Sequence, residues 1–312
     1  MASANLAAYC WEDFGPAKIK NNVTKLQNTG LTTAILWAVH VGAPNNAIKH
    51  KYGDLIFNND KDHPENLFIS QGLFNPNKNS QTGAWPEYVA RLKQGGVNKV
   101  FFSIGGGGVT DFTAIEYMLT HNMTDVLAQN LDALRTAFTD KATKQCAIDG
   151  FDLDCEEGVS QDTIVKFSAM LFKLKFAVTF CPYRDQDFWK GCMKTLWDNG
   201  GKVSWWNLQC YDGGDPNRKP EKLDTWIKAL AAVVGEKAAP SFLLPGLAVM
   251  GSGPNEQCPG GICQTFSTWK DHKLGGGWLW RYDDIGKKPC PGRADLTAYV
   301  DAINKGLKNQ CT

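Results

Sequence analysis

Asp149-Gly150-Phe151-Asp152-Leu153-Asp154-Cys155-Glu156-Glu157 is the stretch around which the rest of the 312-residue chain is organised. In an extended strand alternate side chains face opposite ways, so Asp152, Asp154 and Glu156 share one face while Phe151, Leu153 and Cys155 share the other. A solvated run of charges has no use for the interleaved apolar residues. A strand packed under helices on one face and lining a polar site on the other requires them. Asp149 and Glu157 fall out of phase with the acidic face, which predicts a structural role for the first and a loop or helix-start role for the second.

Working outward, strand-like and helix-like stretches alternate. Leu6–Trp11, Thr33–Val41, Lys99–Gly106, Ala147–Glu156, Phe176–Cys181, Val203–Tyr211, Phe242–Val249 and Gly277–Tyr282 read as eight strands. Helical spacing falls between them, at Pro16–Gly30, Pro86–Gln94, Asp111–Phe138 with a break near His121-Asn122, Asp162–Lys173, Asp187–Asp198, Pro220–Val234 and Thr265–Lys273. A last helix covers Arg293–Leu307. Residues 42–84, rich in Asn, Gly, Pro and Lys, form a long insertion after the second strand, with a hairpin expected around Gly53–Phe57. Strict alternation predicts a parallel sheet, and eight units predict an α/β fold closed into a (β/α)8 TIM barrel, with residues 1–312 as a single catalytic domain. An open doubly wound sheet is the alternative, because counting strands does not prove closure.

The bulk composition excludes several functions. Lys+Arg 33 against Asp+Glu 32 leaves a net charge of +1 and no dense basic run, which argues against nucleic acid as a partner. No stretch approaches the roughly 20 apolar residues of a membrane span. Cys and His spacings match no zinc pattern, and nothing calls for a cofactor. Of ten Cys, Cys10, Cys155, Cys181 and Cys210 sit in strand-like runs and read as packing residues. The loop Cys258-Pro259-Gly260-Gly261-Ile262-Cys263 looks tight enough to join its own two thiols, and Cys290 and Cys311 flank the last helix. Disulfides would place the protein in an oxidising, extracellular compartment.

In a barrel of this kind catalytic residues gather at the C-terminal strand ends. Four such ends stand out. Beyond the acidic strand, Ser103-Ile104-Gly105-Gly106 closes the third, where Gly105 and Gly106 permit close approach. Asn207, Gln209 and Tyr211 share one face of the sixth, and unsatisfied polar groups cost about 1–3 kcal/mol each in a dry core, so they should face a site. Trp278, Trp280 and Tyr282 share one face of the eighth, and Trp280, nearer the strand end, could floor a sugar subsite.

These motifs resemble those of family-18 glycoside hydrolases, the chitinases. Asp149 to Glu156 is similar to that family's Asp-x-x-Asp-x-Asp-x-Glu signature, Ser103–Gly106 to its Ser-x-Gly-Gly, and Gln209-Cys210-Tyr211-Asp212 to its sixth-strand motif. Trp280 and, less specifically, Tyr9 match its eighth- and first-strand aromatics. The compact plant and fungal type is the closer likeness, since about thirty residues separate the last two strands. The resemblance implies an endo-acting chitinase that uses a retaining, substrate-assisted mechanism. Glu156 would be the general acid/base, Asp154 would orient the 2-acetamido group, and Asp152 would exchange hydrogen bonds with Asp154. Tyr211 would donate to the acetamido oxygen, and Gln209, Trp280, Tyr9, Asn207, Gly105 and Gly106 would bind substrate. Expected partners are chitin or N-acetylglucosamine oligosaccharides, and the expected state is a monomer. The same strand also fits an enzyme that cuts the chitobiose core of N-glycans, while a chitin-binding lectin would typically have replaced one of the acids.

Overall fold

The computed structural model describes residues 4–44, 50–58, 67–74 and 80–311. Its strands, in chain order, are β1 (Asn5–Cys10), β2 (Thr33–Val41), β3 (Leu55–Phe57), β4 (Leu67–Ser70), β5 (Leu73–Phe74), β6 (Lys99–Gly105), β7 (Gly150–Asp154), β8 (Ala177–Phe180), β9 (Val203–Gln209), β10 (Leu243–Ala248) and β11 (Gly276–Trp280). β1, β2 and β6 to β11 pair in parallel, and β1 bonds both β2 and β11. The sheet therefore closes into the eight-stranded barrel, and the open-sheet alternative is excluded.

The strand alternation sorts residues into two shells. Outward-facing residues such as Phe151, Leu153, Phe180 and Trp206 join the layer between barrel and helices. Inward-facing residues fill the lumen, where Ala7, Tyr9, Ile35, Phe101, Trp205, Leu244 and Trp278 pack together. Trp278 thus fills core, and it fits only because Gly246 faces it: a Cβ there would lie 1.9 Å from the indole.

The outer ring comprises α1 (Ile19–Asn22), α2 (Ser80–Arg91), α3 (Asp111–Thr120), α4 (Thr124–Ala137), α5 (Gln161–Lys173), α6 (Gln186–Asp198), α7 (Pro220–Val234), α8 (Pro259–Thr268) and α9 (Leu296–Leu307). The break expected near His121-Asn122 separates α3 from α4, with Asn122 at φ 59°. Within the insertion, the hairpin expected around Gly53–Phe57 takes the form of β3, paired antiparallel with both β2 and β4. The remainder of that insertion, 45–49, 59–66 and 75–79, lies outside the described residues.

The cysteine pairing differs from the sequence expectation. Cys258 bonds Cys290, and Cys263 bonds Cys311. The supposed polar loop is the first turn of α8, with Cys258 at its N-cap and Pro259 at N1, a position that tolerates proline. At about 100° per residue, Cys258 and Cys263 point some 140° apart, so each reaches a different neighbour.

Candidate active site

The lumen-facing side of β7 and its extension carries the three acids in one column, and their surroundings change stepwise along it. Asp152 is fully buried and accepts four hydrogen bonds. Thr179 Oγ1 (2.7 Å) and Asn207 Nδ2 (2.8 Å) donate to Oδ1; Tyr9 OH (2.6 Å) and Ser103 Oγ (2.9 Å) donate to Oδ2. Four donors on two oxygens match an ionised carboxylate, which only accepts. Burial raises its proton affinity, and those four donors pull the other way.

Asp154, 4% exposed, has poorer company. Gln209 Nε2 donates to its Oδ1 at 2.9 Å, and burial, then the negative charge of Glu156, then that of Asp152 push its pKa well above the usual carboxylate range. Glu156 is partly exposed. Burial raises its pKa too, while the hydrogen bond from Gln209 Nε2 to Oε1 (3.3 Å) opposes the shift. One amide therefore touches both carboxyls, and like charges at this spacing favour a single proton held between them.

A pocket of about 360 Å3 opens above the column, lined by Asp154, Glu156, Gln209, Tyr211, Asp212, Trp280, Trp37, Tyr183, Gly106, Gly107 and Gly213. Tyr211 stacks on Trp280 with ring centres 5.9 Å apart and planes at 15°, so phenol and indole form one aromatic corner. Burial holds the Tyr211 phenol far above its ordinary pKa and keeps it a donor.

Glu156, Asp154, Gln209, Tyr211, Trp280 and Gly106 thus converge. The other expected contacts do not reach the pocket. Tyr9 is 1% exposed and Asn207 fully buried; both lie beneath the pocket and serve Asp152, so they support the column and do not line the cleft. Gly105, at φ 97°, is needed for backbone approach: a Cβ there would lie 2.2 Å from the Asp154 carbonyl. Gly106 N donates to the same carbonyl at 2.8 Å. Asp152 exchanges no hydrogen bond with Asp154 among the described residues, because its own oxygens are taken.

The out-of-phase acids do structural work. Asp149 Oδ2 accepts from Val100 N (2.7 Å) and sits 2.8 Å from Lys93 Nζ. Glu157 accepts from the backbone of Phe112 and Thr113, placing its charge at the N-terminus of α3, where the helix dipole favours it.

Sequence reasoning misses Thr179, Cys181, Tyr183 and Trp37. Thr179 and Cys181 are in phase with each other and out of phase with Phe180, so the alternation on β8 is a signal that could find them. Cys181 is the buried free cysteine expected and packs in the lumen, but packing is not all that it does. Its Sγ lies 3.2 Å from Tyr9 OH and 3.6 Å from Gln209 Nε2, inside the acid column. Cys155 and Cys210 do face the helix layer, away from the pocket. Among the described residues no cluster of His, Cys, Asp and Glu could hold a metal ion, and no helix is long and apolar enough to cross a membrane.

No protein-family model matches the chain, and no curated protein matches it significantly. Solved structures match its fold. The catalytic domain of a family GH18 chitinase from the fern Peteris ryukyuensis superposes with TM-score 0.58 at 13% identity, covering 97% of this chain and 98% of that one. A Bacteroides thetaiotaomicron chitinase gives 0.57 at 13%, covering 98% and 97%. An Ostrinia furnacalis Group IV chitinase, crystallised with allosamidin, gives 0.59 at 11%, covering 99% and 100%. The fold is that of GH18 chitinase catalytic domains.

Proposed function

We propose that the chain is a chitinase of the family-18 type, hydrolysing β-1,4-linked N-acetylglucosamine with retention. The observation that carries this reading is the graded column: Asp152 met by four donors, Asp154 buried between two further acids and bonded by Gln209, and Glu156 open to a pocket with an aromatic corner. The neighbouring folds crystallised as chitinases support the same reading.

Most glycosidases use two carboxylates, and substrate-assisted families are the exception. Here a sugar lies over Trp280 with its 2-acetamido group directed at Asp154, Gln209 and Tyr211. As the sugar binds, the proton shared by the pair passes from Asp154 to Glu156, which gives it to the glycosidic oxygen as the acetamido carbonyl oxygen attacks the anomeric carbon, forming an oxazolinium and releasing the alcohol. Asp154 turns toward the acetamido N–H and counters the positive ring, and Tyr211 donates to the acetamido oxygen. Water then opens the oxazolinium while Glu156 takes its proton back. Two disulfides support a secreted protein.

Glu156→Gln should lower kcat on a fluorogenic chitotrioside by about 10²–10⁴, the usual contribution of a general acid, and leave binding intact. Products sampled early by NMR should be β-anomers. Initial α-anomer rules out the substrate-assisted route, and full turnover in Glu156→Gln removes the acid from its role. A high-mannose glycopeptide cut in place of chitin oligomers would move the assignment to N-glycans.

A further inference from the structure

On the proposed reading Glu156 must meet the glycosidic oxygen to within about half an ångström, yet it lies beyond the end of the strand that aligns the other acids. β7 ends at Asp154, whose carbonyl accepts from Gly106 N, one residue past β6, at 2.8 Å. Past that bond the sheet no longer fixes the chain. Something else must hold Glu156.

Its neighbour supplies the hold. The Glu157 carboxylate reaches across to the start of α3, where Oε1 accepts from Phe112 N (2.9 Å) and Oε2 accepts from Thr113 N (2.8 Å) and Thr113 Oγ1 (2.6 Å). The free N–H groups of a helix's first turn match a carboxylate in geometry and in charge. Three residues further on the exchange runs the other way. Glu116 of α3 accepts through Oε1 from Ser160 N (2.9 Å), Ser160 Oγ (2.8 Å) and Thr163 Oγ1 (2.8 Å) at the start of α5. The loop that carries Glu156 is thus stitched to one helix at two points.

The start of α3 is itself a fixed reference. Its first residue, Asp111, is 1% exposed, accepts from Val41 N at 3.0 Å and lies 2.7 Å from His40 Nδ1, both at the end of β2. Phe112 is fully buried and packs over Gly105, where a Cβ would lie 2.8 Å from its ring. Glu157 is therefore tied to the barrel wall and not to a free helix end. Both of its oxygens are engaged there, which leaves it to act on the reaction through the position of Glu156.

We infer that Glu157 is a positioning residue for the acid: by binding the first turn of α3 it fixes the backbone on the far side of Glu156 and holds that carboxyl at the glycosidic oxygen. This rests on the glycosidase reading and gives the fifth acid of the stretch a part in it.

Three substitutions separate reach from charge. Glu157→Gln keeps the length and an oxygen that can take both Thr113 donors, Glu157→Asp keeps the charge but is one methylene short, and Glu157→Ala keeps neither. On a fluorogenic chitotrioside kcat should fall at least about tenfold in Glu157→Ala and Glu157→Asp and no more than about threefold in Glu157→Gln, with KM within about twofold of the parent throughout. The limbs of the kcat/KM pH profile should stay within about half a unit of the parent in Glu157→Gln, because the Asp154–Glu156 pair that titrates is untouched. Thr113→Val removes one donor, and combined with Glu157→Ala it should add nothing to the loss of kcat, as expected of groups that act together.

An unchanged kcat in a Glu157→Ala protein with a cooperative melt overturns the inference. So does Glu157→Asp outperforming Glu157→Gln, since charge and not reach would then be at work. A raised KM with kcat intact makes Glu157 a substrate contact and overturns it as well. Where Glu157→Ala does not fold, the order of the Gln and Asp variants decides alone. In each of these cases the parent still hydrolyses the trisaccharide and the glycosidase reading stands; a parent that does not hydrolyse it removes both.

Discussion

The floor and the mouth of the acid column are two alternations apart along β7 and its extension, yet their physics is opposite. At the floor Asp152 is sealed from water and met by donors from β1, β6, β8 and β9. At the mouth Glu156 has one weak donor, and between them Asp154 must accommodate a proton. A fixed anion below makes ionisation above more difficult. The floor therefore tunes the mouth through charge, even though no hydrogen bond runs from Asp152 to Asp154.

Emptying the floor should cost the protein most. Asp152→Ala leaves four buried donors unmet, each worth about 1–3 kcal/mol, so stability should fall by at least about 3 kcal/mol. Urea unfolding measures it. A loss below about 1 kcal/mol would mean that the four donors find other acceptors and that the floor is not the anchor described.

The middle of the column should respond with the other sign. Asp154 has a folded-state pKa well above its unfolded value near 3.9. Its contribution to stability is therefore complete below that unfolded value and is lost as pH rises through the raised folded value. Asp154→Asn removes that loss. The variant should be more stable than the parent at pH 7, by about 1.4 kcal/mol for each pH unit between the unfolded and folded pKa values, and should coincide with it near pH 4. Hydrolysis should be lost in the same protein. Equal stability at pH 7 would show that the site relaxes to solvate the carboxylate.

Much of this is legible in the chain because β-strands carry a period of two. Once β7 is taken as a strand, Asp152, Asp154 and Glu156 separate from Asp149 and Glu157 with no further information. Depth along a strand is different. Tyr9 and Asn207 share the correct face, but whether they reach the mouth or stop at the floor depends on the stagger between neighbouring strands, which one sequence does not contain. The disulfide expectation fails for a related reason, since proline and glycines at 259–261 read as a turn while proline at N1 starts a helix. Trp37 escapes notice because an aromatic in an apolar run looks like core until Gly106 and Trp280 are seen around it.

The smallest effect belongs to Cys181, which that same period places within reach of the column. Burial holds its thiol well above the ordinary range, so it stays protonated and can donate weakly to Asp154. A donor to a carboxylate favours the charged form. Cys181→Ser offers a stronger donor and should lower the proton affinity of the Asp154–Glu156 pair, moving the acidic limb of kcat/KM to lower pH. Cys181→Ala removes the donor and should move it to higher pH, each by under about one pH unit, with little change in KM. Limbs that shift in opposite directions require a hydrogen bond, because a thiol acting only as packing would move both variants the same way or not at all.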